Sequence, residues 1–104
     1  MSAPFDQSLA HSALSLLKKV DNRRLQSVAR QELKKEYPSI SEELIDEHLD
    51  FAAKLLERAC YYTEKIRDHR FPEETALARL KEEFPGMIER DYLTSLSHGY
   101  FVTR

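Results

Sequence analysis

Apolar residues recur along this chain at intervals of three and four, and nowhere do they alternate as on a half-buried strand. The longest such series is Ile45, Leu49, Ala52, Leu56, Ala59, Thr63 and Ile66, an unbroken 4-3-4-3-4-3 spacing. Leu44, Phe51, Leu55 and Tyr62 lie beside it and widen the stripe. No Gly or Pro interrupts the run, so the pattern predicts one long helix over about residues 41–69. Ser41 is suited to cap its start, with Glu42 and Glu43 following at the positive end of the helix dipole. Ile40 and Ile45 occupy the two positions of a hydrophobic staple around that cap.

Shorter stripes flank this element. Leu9, Ala13, Leu16, Leu17 and Val20 predict a first helix from about Asp6 to Lys19, capped by Asp6 and closed by Lys18 and Lys19. Leu25, Val28, Ala29, Leu33 and Tyr37 predict a second, capped by Asp21 or Asn22. Pro38 stops it, because proline disfavours the helical state of its predecessor and lacks an amide proton. After Phe71, Pro72 at a first-turn position opens a fourth helix with Leu77, Leu80 and Phe84 inward, ended by Pro85-Gly86. A fifth covers about Ile88 to His98, with Ile88, Tyr92, Leu93 and Leu96 inward and Gly99 as its C-terminal cap. The apolar tail over 100–103 then folds back on the core or joins an interface.

Two of the corners between these helices look alike. LKKEYPSI from Leu33 and LKEEFPGM from Leu80 lie 47 residues apart, and the match extends to Ile45 with Tyr92 and Leu49 with Leu96. In each, a helix closes on an inward Leu and an aromatic residue, proline stops it, and an apolar residue starts the next. The aromatic–proline pairs Tyr37-Pro38 and Phe84-Pro85 resemble the Phe-Pro pair that ends the first helix of CUE domains, a ubiquitin-binding module. The resemblance covers about 17 residues per copy. That family has a Met before the pair and a di-leucine in its third helix; here Glu36 and Glu83 stand at the first place, and neither copy has room for the second. The shared pattern therefore reads as two helix-stop-helix corners related by a weak internal repeat.

Helix length bears on assembly. About 28 helical residues extend roughly 42 Å, whereas a compact chain of about 100 residues is roughly 34 Å across. The long helix should therefore protrude, bend or be covered by a second chain, and its heptad-like seam favours the last. The expected interface comprises Leu49, Leu56, Ala59, Tyr62 and Ile66, with Tyr100 and Phe101 from the tail.

Composition supports a single all-helical domain over residues 1–104, a compact bundle of about five helices around the long central one. Ala, Glu, Lys, Leu and Arg supply 51 of the 104 residues, a proportion typical of long helices. A chain this size can bury a core without staples. Cys60 is the single cysteine and cannot form an internal disulfide. The N-terminal stretch lacks the basic and apolar regions of a signal peptide, and no apolar run is long enough to span a bilayer. The expected location is cytoplasmic.

Net charge is −2 but unevenly spread. Residues 18–35 carry Lys18, Lys19, Arg23, Arg24, Arg30, Lys34 and Lys35 against Asp21 and Glu32, a local +5, while residues 41–50 are −5. The basic segment could track phosphates. It leads, however, into the acidic start of the long helix, which would repel a nucleic acid.

Chemistry is sparse. His11, His48, His69 and His98 have no metal-ligand spacing, and two glycines in 104 residues leave no phosphate-binding loop. Cys60 has no base beside it in the sequence, and the carboxylates fall on helix faces expected to be solvated. Neither a catalytic site nor a cofactor is expected. The sequence thus points to a non-enzymatic adaptor or regulatory module that binds protein partners, self-associating as a homodimer through the long helix. The alternative is a nucleic-acid-binding regulator using the basic corner between the first two helices.

Overall fold

A computed structural model of the protein describes residues 5–19, 26–70 and 72–103. All regular structure among the described residues is helical: α1 Gln7–Lys19, α2 Gln26–Glu36, α3 Glu42–Arg67, α4 Glu73–Glu83 and α5 Glu89–Thr103. The long helix foreseen from the heptad spacing is α3, with 26 residues. The chain divides into two compact units, Met1–Ala53 and Lys54–Arg104, and the boundary falls inside α3. Val20, Asp21, Asn22, Arg23, Arg24, Leu25 and Phe71, which figure in the sequence reading, lie outside the described residues.

In the first unit, Asp6 caps α1 by accepting the Leu9 amide on Oδ1 at 3.1 Å. Leu9, Ala10, Ala13, Leu14 and Leu17 form the buried face. Leu14 takes the place expected for Leu16, which is half-buried. On α2, Ala29 and Leu33 are buried while Val28 is exposed. The corner after α2 is held by the Ile40 amide on the Tyr37 carbonyl at 3.1 Å and by Lys34 Nζ on the Ile40 carbonyl at 2.7 Å. Ser41 then caps α3 as expected, its Oγ accepting the Leu44 amide at 3.2 Å.

In the second unit, α3 ends where His69 adopts a left-handed backbone, φ 58°. The His69 amide reaches the Ile66 carbonyl and the Arg70 amide reaches the Lys65 carbonyl, both at 3.0 Å. These paired bonds satisfy carbonyls that the helix end leaves open. Pro72 precedes α4 as its N-cap, one position before the first-turn place expected for it. The α4–α5 corner turns through Gly86 at φ 105°, a conformation that favours glycine. Buried Tyr92 ties this corner: its hydroxyl donates to the Phe84 carbonyl at 2.6 Å and accepts the Met87 amide at 3.2 Å.

Gly99 does not end α5, as the sequence suggested, but lies buried in its interior. A Cβ there would stand 2.9 Å from the Ala59 carbonyl oxygen and 2.9 Å from Thr63 Cγ2. The glycine thus serves close approach of α5 to α3, and the helix continues to Thr103. Two inward assignments at the start of and along α5 also change: Ile88, just before the helix, and Leu93 are exposed, and Asp91 is buried.

The internal repeat extends to helix bounds and burial. Both ends of α2 recur 47 residues on as the ends of α4, and the start of α3 recurs 47 residues on as the start of α5. The buried Ala29 and Leu33 of α2 correspond to Ala76 and Leu80 of α4. Ile45, His48, Leu49 and Ala52 correspond to Tyr92, Ser95, Leu96 and Gly99, all buried. At a spacing of 46, Leu9, Ala10, Ala13 and Leu17 of α1 match Leu55, Leu56, Ala59 and Thr63 of α3, again all buried. Each unit is therefore a three-helix arrangement of the same inward pattern, with α3 closing the first and opening the second.

Candidate interaction surface

The interface read from the heptad seam is largely interior. Leu49, Leu56, Ala59 and Tyr62 are buried and Ile66 is half-buried. The apolar stripe of α3 is already covered by its own chain, so the length of the helix does not by itself call for a second one. The stripe of α3 left outside is Glu43, Glu47, Asp50, Lys54, Glu57, Tyr61 and Glu64, exposed at every step of a 4-3-4-3-4-3 series. Six of its seven side chains are charged, so it offers no apolar seam to a second chain.

The tail residues fare differently. Tyr100 is half-buried, with the Arg67 guanidinium 5.6 Å from its ring centroid and Arg67 Nη2 donating to its carbonyl at 2.5 Å. Burial, with Glu73 nearby, raises the Tyr100 phenol above its ordinary value. Phe101 is 64% exposed and Leu93 is 45% exposed. At 100° per residue, Leu93, Ser97, Arg90, Phe101 and Thr94 fall within one arc of about 100° on α5. Its inward side is marked by buried Asp91, Tyr92, Ser95, Leu96 and Gly99.

Comparison of the two units sharpens what that arc is. The α5 residues Arg90, Leu93, Thr94 and Ser97 correspond, 47 positions back, to Glu43, Asp46, Glu47 and Asp50 of α3. In the first unit Arg30 covers part of the acidic face, reaching Asp46 at 2.9 Å and Glu42 at 3.4 Å. In the second unit the positions of Arg30 and Asp46 are held by Leu77 and Leu93. The same helix position is thus strongly acidic in one unit and nearly neutral, with two exposed large apolar side chains, in the other. Sequence reasoning placed Leu93 inside and so missed this face. The signal was present in Asp91, whose neighbours fix the phase of the helix differently once Gly99 is read as interior.

A second cluster lies between α3 and α4 of the second unit. Arg58 Nε donates to Glu83 Oε1 at 2.8 Å, and its Nη2 donates to the Tyr62 hydroxyl at 3.0 Å. The Tyr62 hydroxyl in turn donates to the other Glu83 oxygen. The guanidinium sits 4.5 Å and 4.9 Å from the ring centroids of Tyr61 and Tyr62, within cation–π range. Burial pushes the Glu83 carboxyl up, but hydrogen bonds from Tyr62 and Arg58, with the Arg58 charge, outweigh it and hold the carboxyl below its usual value. Burial and the bond to Glu83 raise the Tyr62 phenol. The bond to Glu83 raises Arg58 against its own desolvation. The corresponding place in the first unit is simpler, with Ser12 Oγ donating to Glu36 Oε1 at 3.4 Å and lying 3.0 Å from the Tyr37 hydroxyl. Both clusters brace the start of a corner, and neither sets a nucleophile beside a base.

The basic segment is partly spent on its own unit. Arg30 is paired with Asp46 and Glu42, Lys34 with the Ile40 carbonyl, and Lys35 with Glu32 at 3.5 Å. Lys18 is half-buried and Lys19 exposed; Arg23 and Arg24 lie outside the described residues. Among the described residues no three His, Cys, Asp or Glu side chains are grouped to hold a metal ion. No helix among them is long and apolar enough to cross a membrane. A groove of about 390 Å³ in the first unit is lined by Ser27, Arg30, Asp46, Leu49 and Asp50. No protein-family model, curated protein or solved structure matches the chain.

Proposed function

We propose that this protein is a non-enzymatic interaction module that self-associates through the outer face of α5. The observation that carries the reading is the contrast between equivalent faces. Where α3 presents Glu43, Asp46, Glu47 and Asp50, α5 presents Arg90, Leu93, Thr94 and Ser97, with Phe101 beyond. An acidic face repels its own copy, whereas a nearly neutral one with exposed apolar anchors can meet a second copy of itself. A two-fold axis suits such a patch, because the same surface serves both partners.

Antiparallel packing of α5 on α5 about a point between Ser95 and Leu96 sets Arg90 of one copy opposite Phe101 of the other. It sets Thr94 opposite Ser97 and Leu93 opposite His98. The Arg90–Phe101 pair would be a cation–π contact made twice. A cytoplasmic setting belongs to the same proposal and rests on the lone Cys60, which leaves no internal disulfide to form.

Sedimentation equilibrium tests this. The wild type should show about twice its 12.2 kDa chain mass, and Leu93→Asp should return it to one chain mass with helicity unchanged. A single-chain mass held up to about 100 μM, where even a weak dimer would be populated, contradicts the proposal.

A further inference from the structure

His48 is 3% exposed and has both ring nitrogens engaged by backbone. Nδ1 lies 2.8 Å from the Leu44 carbonyl oxygen, and Nε2 lies 2.9 Å from the Asp6 amide nitrogen. A carbonyl only accepts and an amide only donates, so this geometry fixes one form of the ring. The proton sits on Nδ1, and Nε2 is a bare acceptor. The Phe5 ring stacks on the imidazole at 5.4 Å and meets Phe51 edge-on at 5.1 Å. Phe5-Asp6 is thereby latched onto α3, and the latch includes the residue that caps α1.

We propose that His48 is an acid-released latch for the N-terminal segment. A proton added at Nε2 turns the acceptor into a donor facing the Asp6 N–H, so the protonated ring and the closed latch exclude one another. Among side chains imidazole is the one that gains a proton on leaving neutrality toward acid, which makes acid the trigger. Stacking with Phe5 offers the cation some compensation, but it supplies no acceptor for the new N–H. Opening frees Phe5 and uncovers Phe51 and His48 on the first half of α3.

Other charged groups do not take over this role. The Asp6 carboxylate is turned to the Leu9 amide. Glu47 and Asp50 flank the ring on α3 but lie on its exposed side. On α2, Arg30 reaches Asp46, Lys34 reaches the Ile40 carbonyl, and Glu36 reaches Ser12. The second unit has Ser95 at the position of His48, and a hydroxyl gains no proton in such acid. The switch therefore belongs to the first unit.

Nitrogen-15 NMR and amide exchange on the whole chain test the proposal. At neutral pH the His48 ring should carry its proton on Nδ1. As acid protonates the His48 ring, the protection factor of the Asp6 amide should fall by about tenfold or more, in step with the ring nitrogen shifts. Asp6→Asn should keep that pH dependence, and His48→Gln should lose it. A proton on Nε2 at neutral pH, Asp6 protection that ignores His48 titration, or an equal loss in His48→Gln would overturn the latch. Should His48→Gln not fold, the wild-type tautomer and the co-titration of His48 with the Asp6 amide decide the matter alone.

Discussion

His48 and Ser95 stand 47 residues apart and make the same contact. Each buried side chain turns back to the carbonyl four residues before it, His48 to Leu44 at 2.8 Å and Ser95 to Asp91 at 2.7 Å. A donor at a buried helix position can satisfy itself this way within its own helix. The two units therefore agree in their interiors down to a polar position, while their outer faces differ in charge.

Gly99→Ala should destabilise the protein. Alanine gains roughly 1 kcal/mol in helix propensity over glycine, but its Cβ would press on the Ala59 carbonyl and Thr63 Cγ2, both at 2.9 Å. Overpacking of this kind costs about 1–3 kcal/mol, and backbone at one of the two contacts leaves little room to yield. Thermal unfolding should fall by several degrees. Thr63→Ala in the same chain should recover only part of the loss, because the Ala59 oxygen remains.

Glu83→Gln should alter stability only above the acid range. The Glu83 carboxyl lies below its ordinary value when folded, so its stabilisation is complete above the unfolded value near 4.3 and is lost as pH falls through the folded one. Arg58 and Glu83 side chains are 40% and 35% exposed, which limits the pair to about 1 kcal/mol or less. Denaturant titrations at pH 7 should separate wild type from Glu83→Gln by about that amount. The two curves should converge in strong acid.

Exchanging the first unit's polar pair for the second unit's apolar one should change association more than stability. Arg30 and Asp46 are 45% and 51% exposed, so Arg30→Leu with Asp46→Leu removes an ion pair worth about 0–1 kcal/mol. The double variant gains an exposed apolar patch where the wild type is acidic. Light scattering should show a higher mass than wild type at equal concentration, with thermal unfolding little changed.

Much of the fold was legible in the sequence. Helix period, Ser41 as a cap, and proline at each corner act locally, so α3 and both corners follow from the residues themselves. The repeat was visible at its corners but understated. Outside them, similar burial is achieved by different residues, such as Leu17 and Thr63, or Ala52 and Gly99, and identity at these places is not needed to fill a core. The surface was misread for a tertiary reason. A heptad seam looks the same whether a second chain or the chain's own helices cover it, and burial of Leu49, Leu56, Ala59 and Tyr62 decides for the latter. Leu93 faces outward and Asp91 inward because Gly99 belongs to the packed face and does not end the helix.

The face of α5 is the central claim, and amide chemical shifts followed on dilution test it most directly. Shifts at Arg90, Leu93, Ser97 and Phe101 should move together as the chain is diluted, while Glu43, Glu47 and Asp50 on the equivalent face of α3 stay fixed. Movement along α3 in place of α5, or no movement at any residue across the series, would contradict the account.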